Sequence, residues 1–215
     1  MYDRQTPLEV VLVDFDNCLF DECWPEYVGR KISCNRTYSP GTRAKFALMG
    51  IASRVGTFFS KEVHPNKLAY KGFDWVTRNR TLDELAIENP TDHYNVLLMD
   101  HLKREVDEGH QVVVMTYTPR QVVERFLKDM GDELKEVGVY APEFKINEYG
   151  KVKGLEVNGF HKDKFHLLDD LKRELESEFH RPVHIYASYG DRRKDHIAGN
   201  NYLVSSENII SVPSC

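Results

Sequence analysis

Residues 8–15, Leu-Glu-Val-Val-Leu-Val-Asp-Phe, form a short apolar run rich in β-branched side chains, and it closes on two carboxylates, Asp14 and Asp16. So apolar a run, with no polar alternation, predicts a strand buried on both faces, as in a parallel sheet covered by helices. Gln111–Thr116 and Val183–Ser188 repeat the pattern, and Asn201–Val204 is a shorter fourth run. The first three lead into polar residues suited to chemistry: Asp14 and Asp16, then Thr116, then Asp191 after a short turn. Ligands of open α/β sheets sit beyond the carboxyl ends of the strands, so three such ends predict one site.

Helical patterns separate the strands. Residues 91–108 carry Leu98, Leu102 and Val106 at four-residue spacing, with Gly109 as a stop. Thr118-Pro119-Arg120-Gln121 reads as a capping box with proline at the first helical position. The helix it opens carries Val122, Val123, Phe126, Leu127 and Met130 on one face and stops at Gly131. Residues 163–178 carry Leu167, Leu168, Leu171 and Leu175. Residues 144–154 predict a hairpin turning at Glu148-Tyr149-Gly150. The fold class predicted is α/β, a Rossmann-like doubly wound parallel sheet. About seventy residues between the first two strands are too many for one crossover. Residues 21–90 are therefore expected to be a helical insertion over the site, with 1–20 and 91–215 as the core.

Bulk properties bound the function. The 215 residues suffice for one α/β domain with an insertion. A formal net charge of -5 argues against nucleic acid as a bulk electrostatic partner. No apolar run is long enough to span a membrane, and the polar start of the chain lacks the order of a signal peptide. Cys18, Cys23, Cys34 and Cys215 are scattered and form neither a disulfide framework nor a zinc motif. A cytoplasmic protein with reduced thiols is expected; no oligomeric state is implied. Phosphate-loop, dinucleotide and His-Glu-x-x-His patterns are absent, and His161 and His166 read as surface residues.

Cleaving a phosphate ester needs a nucleophile, a proton donor for the leaving oxygen, and cations to neutralise the phosphoryl group. On an extended chain Asp14 and Asp16 share a face. Two adjacent carboxylates can then divide the work, one ionised and attacking, the other protonated for part of the cycle. Gly190-Asp191-Arg192-Arg193-Lys194-Asp195 offers a second carboxylate at a strand end, with Asp195 one helical turn on; the alternative is a polar loop capping a helix. The Thr116 hydroxyl and nearby N–H groups suit phosphate oxygens, while Thr118 reads as a cap. Lys164, at the start of an amphipathic helix, is either a phosphoryl-neutralising cation or a solvated lysine.

In this order, Asp-x-Asp, Thr, Lys and Gly-Asp-x-x-x-Asp resemble the haloacid dehalogenase superfamily of phosphatases. Val112–Pro119 is similar to the Thr-x-Ser-Pro segment of its phosphoserine-phosphatase-like branch, and the helical insertion is similar to that branch's cap. The resemblance implies that Asp14 attacks phosphorus to form an aspartyl-phosphate. It implies that Asp16 protonates the leaving group and then activates water. Asp14, Asp16 through its carbonyl, and Asp191 would bind Mg²⁺. Thr116 and Lys164 would hold phosphoryl oxygens, with Asp195 orienting Lys164 or a metal-bound water. The expected partner is a small phosphate ester. Two departures stand out: Cys18 occupies a position usually held by Thr or Val, and Arg192 one usually held by a small residue. Arg192 faces solvent, binds an anionic part of the substrate, or crowds the metal. Glu22, just past the first motif, is a candidate for binding a substrate amine.

Overall fold

The computed structural model describes residues 6–59, 67–131, 134, 136–160, 164–192, 197–205 and 207–212; of these, the side chains of 54–59, 67–69 and 164 are left undescribed. The elements in chain order are β1 (Leu8–Val13), α1 (Trp24–Cys34), α2 (Pro40–Phe59), α3 (Lys67–Thr77), α4 (Leu82–Leu85), a 3₁₀ turn (Pro90–Asp92), α5 (Val96–Asp107), β2 (Gln111–Met115), α6 (Arg120–Met130), β3 (Gly138–Tyr140), β4 (Glu143–Ile146), β5 (Val152–Glu156), α7 (Lys164–Phe179), β6 (Val183–Gly190), β7 (Asn200–Val204) and β8 (Ile209–Val212).

Six strands form one sheet in the order β3-β2-β1-β6-β7-β8. All neighbours run parallel except β7 and β8. The alternation of side chains across β1 and β2 divides the core. Val11, Val13, Val112 and Val114 face the apolar residues of α5 and α6. Val10, Leu12, Val113 and Met115 face Leu167, Leu168, Leu171 and Leu175 of α7. Helices on both faces make the sheet doubly wound. The chain steps from β1 to β2 on one side and later returns to β6 on the other. This reversal beside β1 is the switch point at which such sheets bind ligands.

The segment between β1 and α5 is helical, and its apolar side chains join the sheet's core without a break. Trp24, Val28, Ile32, Phe46, Leu85 and Ile87 belong to the same buried cluster as Val11 and Val13. The Trp24 indole Nε1 donates to the Leu85 carbonyl at 3.0 Å, and the Glu88 N–H donates to the Tyr27 hydroxyl at 2.9 Å. The same segment is bonded to the β4–β5 hairpin. The Asn79 N–H donates to the Val152 carbonyl and the Val152 N–H to that of Arg80, both at 2.8 Å.

Local details depart from the sequence reading. The helix expected over 91–108 starts only at Val96, because Asn95 caps it by accepting the Leu98 N–H at 3.2 Å. Proline at 90 and a left-handed Asn89 make a separate 3₁₀ turn before it. β3 and β8 are additional strands, of three and four residues. β1 stops at Val13 rather than Phe15.

Candidate active site

Beyond Val13 the chain folds into a loop held from inside by its apolar residues. Phe15, Cys18, Leu19 and Phe20 are buried, which makes Cys18 a packing residue, and the Phe15 ring lies edge-on to Phe126 at 5.2 Å. The Leu19 N–H donates to the Asp14 carbonyl at 3.4 Å and the Phe20 N–H to that of Phe15 at 2.9 Å. These bonds span five residues and make a turn wider than an α-helical one. Asn17 takes a left-handed φ of 56°, which asparagine tolerates better than most residues. β1 ends at Val13, so Asp14 and Asp16 lie in this loop and not on the extended strand expected to carry them. What places Asp14 is the sheet: its N–H donates to the Tyr189 carbonyl at 2.9 Å, tying the ends of β1 and β6 together. Its carboxylate accepts the Phe15 N–H at 2.9 Å.

Among the described residues, Asp16 accepts from donors on two sides. Its Oδ1 accepts the Trp24 N–H at 2.6 Å, at the N-terminus of α1. The Thr118 hydroxyl donates to its Oδ2 at 2.7 Å, and the Thr116 hydroxyl points to the same oxygen at 3.4 Å. Thr116 also accepts the Thr118 N–H at 3.1 Å. The capping box expected at Thr118 is thus absent. Pro119 is the N-cap and no side chain caps the helix. The helix starts one residue later than the box requires, with Pro119 rather than Thr118 at the N-cap position. Gln121 instead exchanges two hydrogen bonds of 2.9 Å with the Phe144 backbone, fixing α6 to the hairpin.

Asp191 follows Gly190 at the end of β6. Its Oδ2 lies 3.4 Å from Nε of Arg192, so the arginine turns toward its own neighbour. Lys164 is the first residue of α7, and its side chain lies outside the description. Asp195, His161 and Cys215 also fall outside the described residues. The Glu22 carboxylate is 2.8 Å from Arg30 and 3.7 Å from His93, which also approaches Asp21 at 3.5 Å. Burial pushes the Asp21 carboxyl upward, Glu22 adds to this, and His93 opposes it.

The sequence reading missed three contributors. The first is the Trp24 N–H, for which Pro25 in the next position was the available signal: a proline there marks a first helical turn. The second is Thr118. The third is Tyr70 of α3, buried in a cluster with Met115 against which Tyr117 packs, the two residues that flank Thr116. Cys23, before Trp24, lies 3.4 Å from the Ser53 hydroxyl. Burial, then the charge of Asp16, pushes its thiol far above the usual range, so it stays protonated. Among the described residues Cys18, Cys23 and Cys34 form no disulfide, and no described helix is long and apolar enough to cross a membrane.

Comparisons with solved structures identify the fold. A phosphoserine phosphohydrolase-like protein from Francisella tularensis is 13% identical and superposes with a TM-score of 0.62, over 90% of this chain and 85% of that one. A phosphoserine phosphatase solved as a phospho-aspartyl intermediate analogue is 12% identical, with a TM-score of 0.58 over 88% and 81%. Cytosolic 5'-nucleotidase IIIB bound to cytidine is 13% identical, with a TM-score of 0.60 over 87% and 67%. No family model matches the sequence, and no curated protein matches it. The fold is that of the haloacid dehalogenase phosphatases, in the form seen in phosphoserine phosphatases.

Proposed function

We propose that this chain, built on the fold of the phosphoserine-phosphatase-like enzymes, is a magnesium-dependent phosphomonoesterase acting on a small phosphorylated metabolite. One observation carries the reading: β2, β1 and β6 are parallel neighbours. Their adjacent carboxyl ends carry Thr116, Asp14 with Asp16, and Asp191. Residues 21–90 are the cap, and 1–20 with 91–215 the core.

In the reaction proposed, an Asp14 carboxylate oxygen attacks phosphorus and the ester P–O bond breaks. Asp16 gives its proton to the departing oxygen. A water then attacks the aspartyl-phosphate while Asp16 takes up its proton; the Asp14–phosphorus bond breaks and inorganic phosphate leaves. Thr116 and Lys164 hold phosphoryl oxygens, and Asp195 orients Lys164. Asp16 is already bonded to two threonine hydroxyls and to the start of α1, which supports its being positioned from both sides of the site.

The donor set fits a hard divalent cation. Asp14 and Asp191 are carboxylates on hydrogen-bonded strand ends, and oxygen ligands suit Mg²⁺. Asp14, the Asp16 carbonyl and Asp191 would hold it, and it would neutralise charge on the phosphoryl group. Glu22, the candidate for binding a substrate amine, is paired with Arg30.

A second reading has one observation in its favour. The pairing of Arg192 with Asp191 suits a scaffold that binds a phosphate ester but turns it over weakly. Transfer of the phosphoryl group to another alcohol would use the same intermediate. Hydrolysis of p-nitrophenyl phosphate tests the leading reading. Magnesium-dependent turnover, abolished by chelation and by Asp14→Asn, is expected. Metal-independent turnover, or an active Asp14→Asn variant, refutes it.

A further inference from the structure

Tyr70 lies on α3 and is 3% exposed, in a cluster with Met115, Tyr140 and Phe160 against which Tyr117 packs. Among the described residues its hydroxyl oxygen is buried without a hydrogen-bond partner. Buried tyrosine hydroxyls ordinarily find a partner, since an unmade bond forfeits the hydration the group had in water. The ring is accounted for by the cluster; the hydroxyl is not.

The packing around it shows where it lies. Met115 belongs to its cluster and Tyr117 packs against it, and these two residues flank Thr116 at the end of β2. Tyr70 therefore sits beside that strand end. Its backbone is anchored: Asp74, one turn on, accepts the Leu155 N–H at 3.0 Å. A donor fixed in advance loses little freedom when a ligand arrives.

We propose that Tyr70 is a substrate-binding residue whose hydroxyl donates to an oxygen on the leaving group of the phosphate ester, so that favoured substrates carry a hydroxyl or carbonyl there. This rests on the phosphatase reading above. In that reading the phosphoryl group sits against the strand ends, and Tyr70 comes to the end of β2 from the helical segment, the side from which the rest of the ester must approach. The leaving group is the part of the ester that passes it.

The test compares wild type and Tyr70→Phe on two esters in the presence of magnesium. Glycerol 2-phosphate has hydroxyls on its leaving group; phenyl phosphate has no polar atom there beyond the scissile oxygen. The variant should lose about fivefold to thirtyfold in kcat/KM on glycerol 2-phosphate, the worth of one hydrogen bond, with phenyl phosphate little changed. Its melting temperature should hold or rise, because only an unpaired polar group is removed. An unchanged ratio between the esters, wild-type turnover of phenyl phosphate alone, or a lower melting temperature overturns the assignment of Tyr70. Wild type inactive on both esters sinks the phosphatase reading, and this inference with it.

Discussion

The crossing of α1 and α2 makes a prediction whose sign differs between two glycines in contact. A Cβ added to Gly29 would lie 2.9 Å from the Phe46 carbonyl oxygen and 3.0 Å from Gly50 Cα, both backbone atoms. One added to Gly50 would meet nothing closer than 3.7 Å. Overpacking a tight core costs about 1–3 kcal/mol. Gly29 belongs in the upper half, because backbone cannot swing aside as a side chain does. Alanine returns about 1 kcal/mol of helix propensity. Gly29→Ala should therefore destabilise by about 1–2 kcal/mol, lowering Tm by roughly 2–8 °C in a domain of this size. Gly50→Ala keeps the propensity gain without the clash and should be neutral or stabilising by up to about 1 kcal/mol. The Gly29 variant should also lose activity, since α1 carries the Trp24 N–H bonded to Asp16. Thermal unfolding followed by circular dichroism reads the first effect, and p-nitrophenyl phosphate turnover the second. A Gly29→Ala protein as stable as wild type would refute the packing argument.

Other consequences concern the site. Thr118→Val removes the 2.7 Å donor to Asp16. A hydrogen bond to a charged group contributes about 1.5–3 kcal/mol, so kcat/KM should fall roughly tenfold to a hundredfold, with Thr118→Ser close to wild type. Equal loss in the serine variant would show that the methyl group matters instead. Arg192→Ala removes the cation beside Asp191. Exposed ion pairs are worth about 0.2–1 kcal/mol, so magnesium measured by calorimetry without substrate should bind up to about fivefold more tightly. Weaker binding would mean that Arg192 helps to hold Asp191 in place.

The parts of the architecture legible in the sequence were those where periodicity reports burial. Val10 to Val13 and Val112 to Met115 are buried on both faces, and their unbroken apolar runs say so. The α7 leucines likewise predicted its packing. β3 escaped because three residues carry no periodicity, and β8 because it is a half-exposed edge strand paired only with β7. Site geometry was less legible for a different reason. Thr118 beside proline has the local signature of a cap, and its actual partner, Asp16, is distant in sequence. Tyr70 was invisible, since nothing around residue 70 indicates that it packs beside the end of β2. Arg192 was noticed as a departure, but its pairing with the adjacent Asp191 follows from a rotamer that sequence does not specify.

The central claim is covalent chemistry at Asp14, and rapid acid quenching of a reaction with magnesium and p-nitrophenyl phosphate tests it most directly. Mass spectrometry of the digested protein should find one phosphoryl group on the peptide containing Asp14, and none in Asp14→Asn. Turnover with no phosphorylated peptide at any quench time, or the adduct on another residue, would contradict the account.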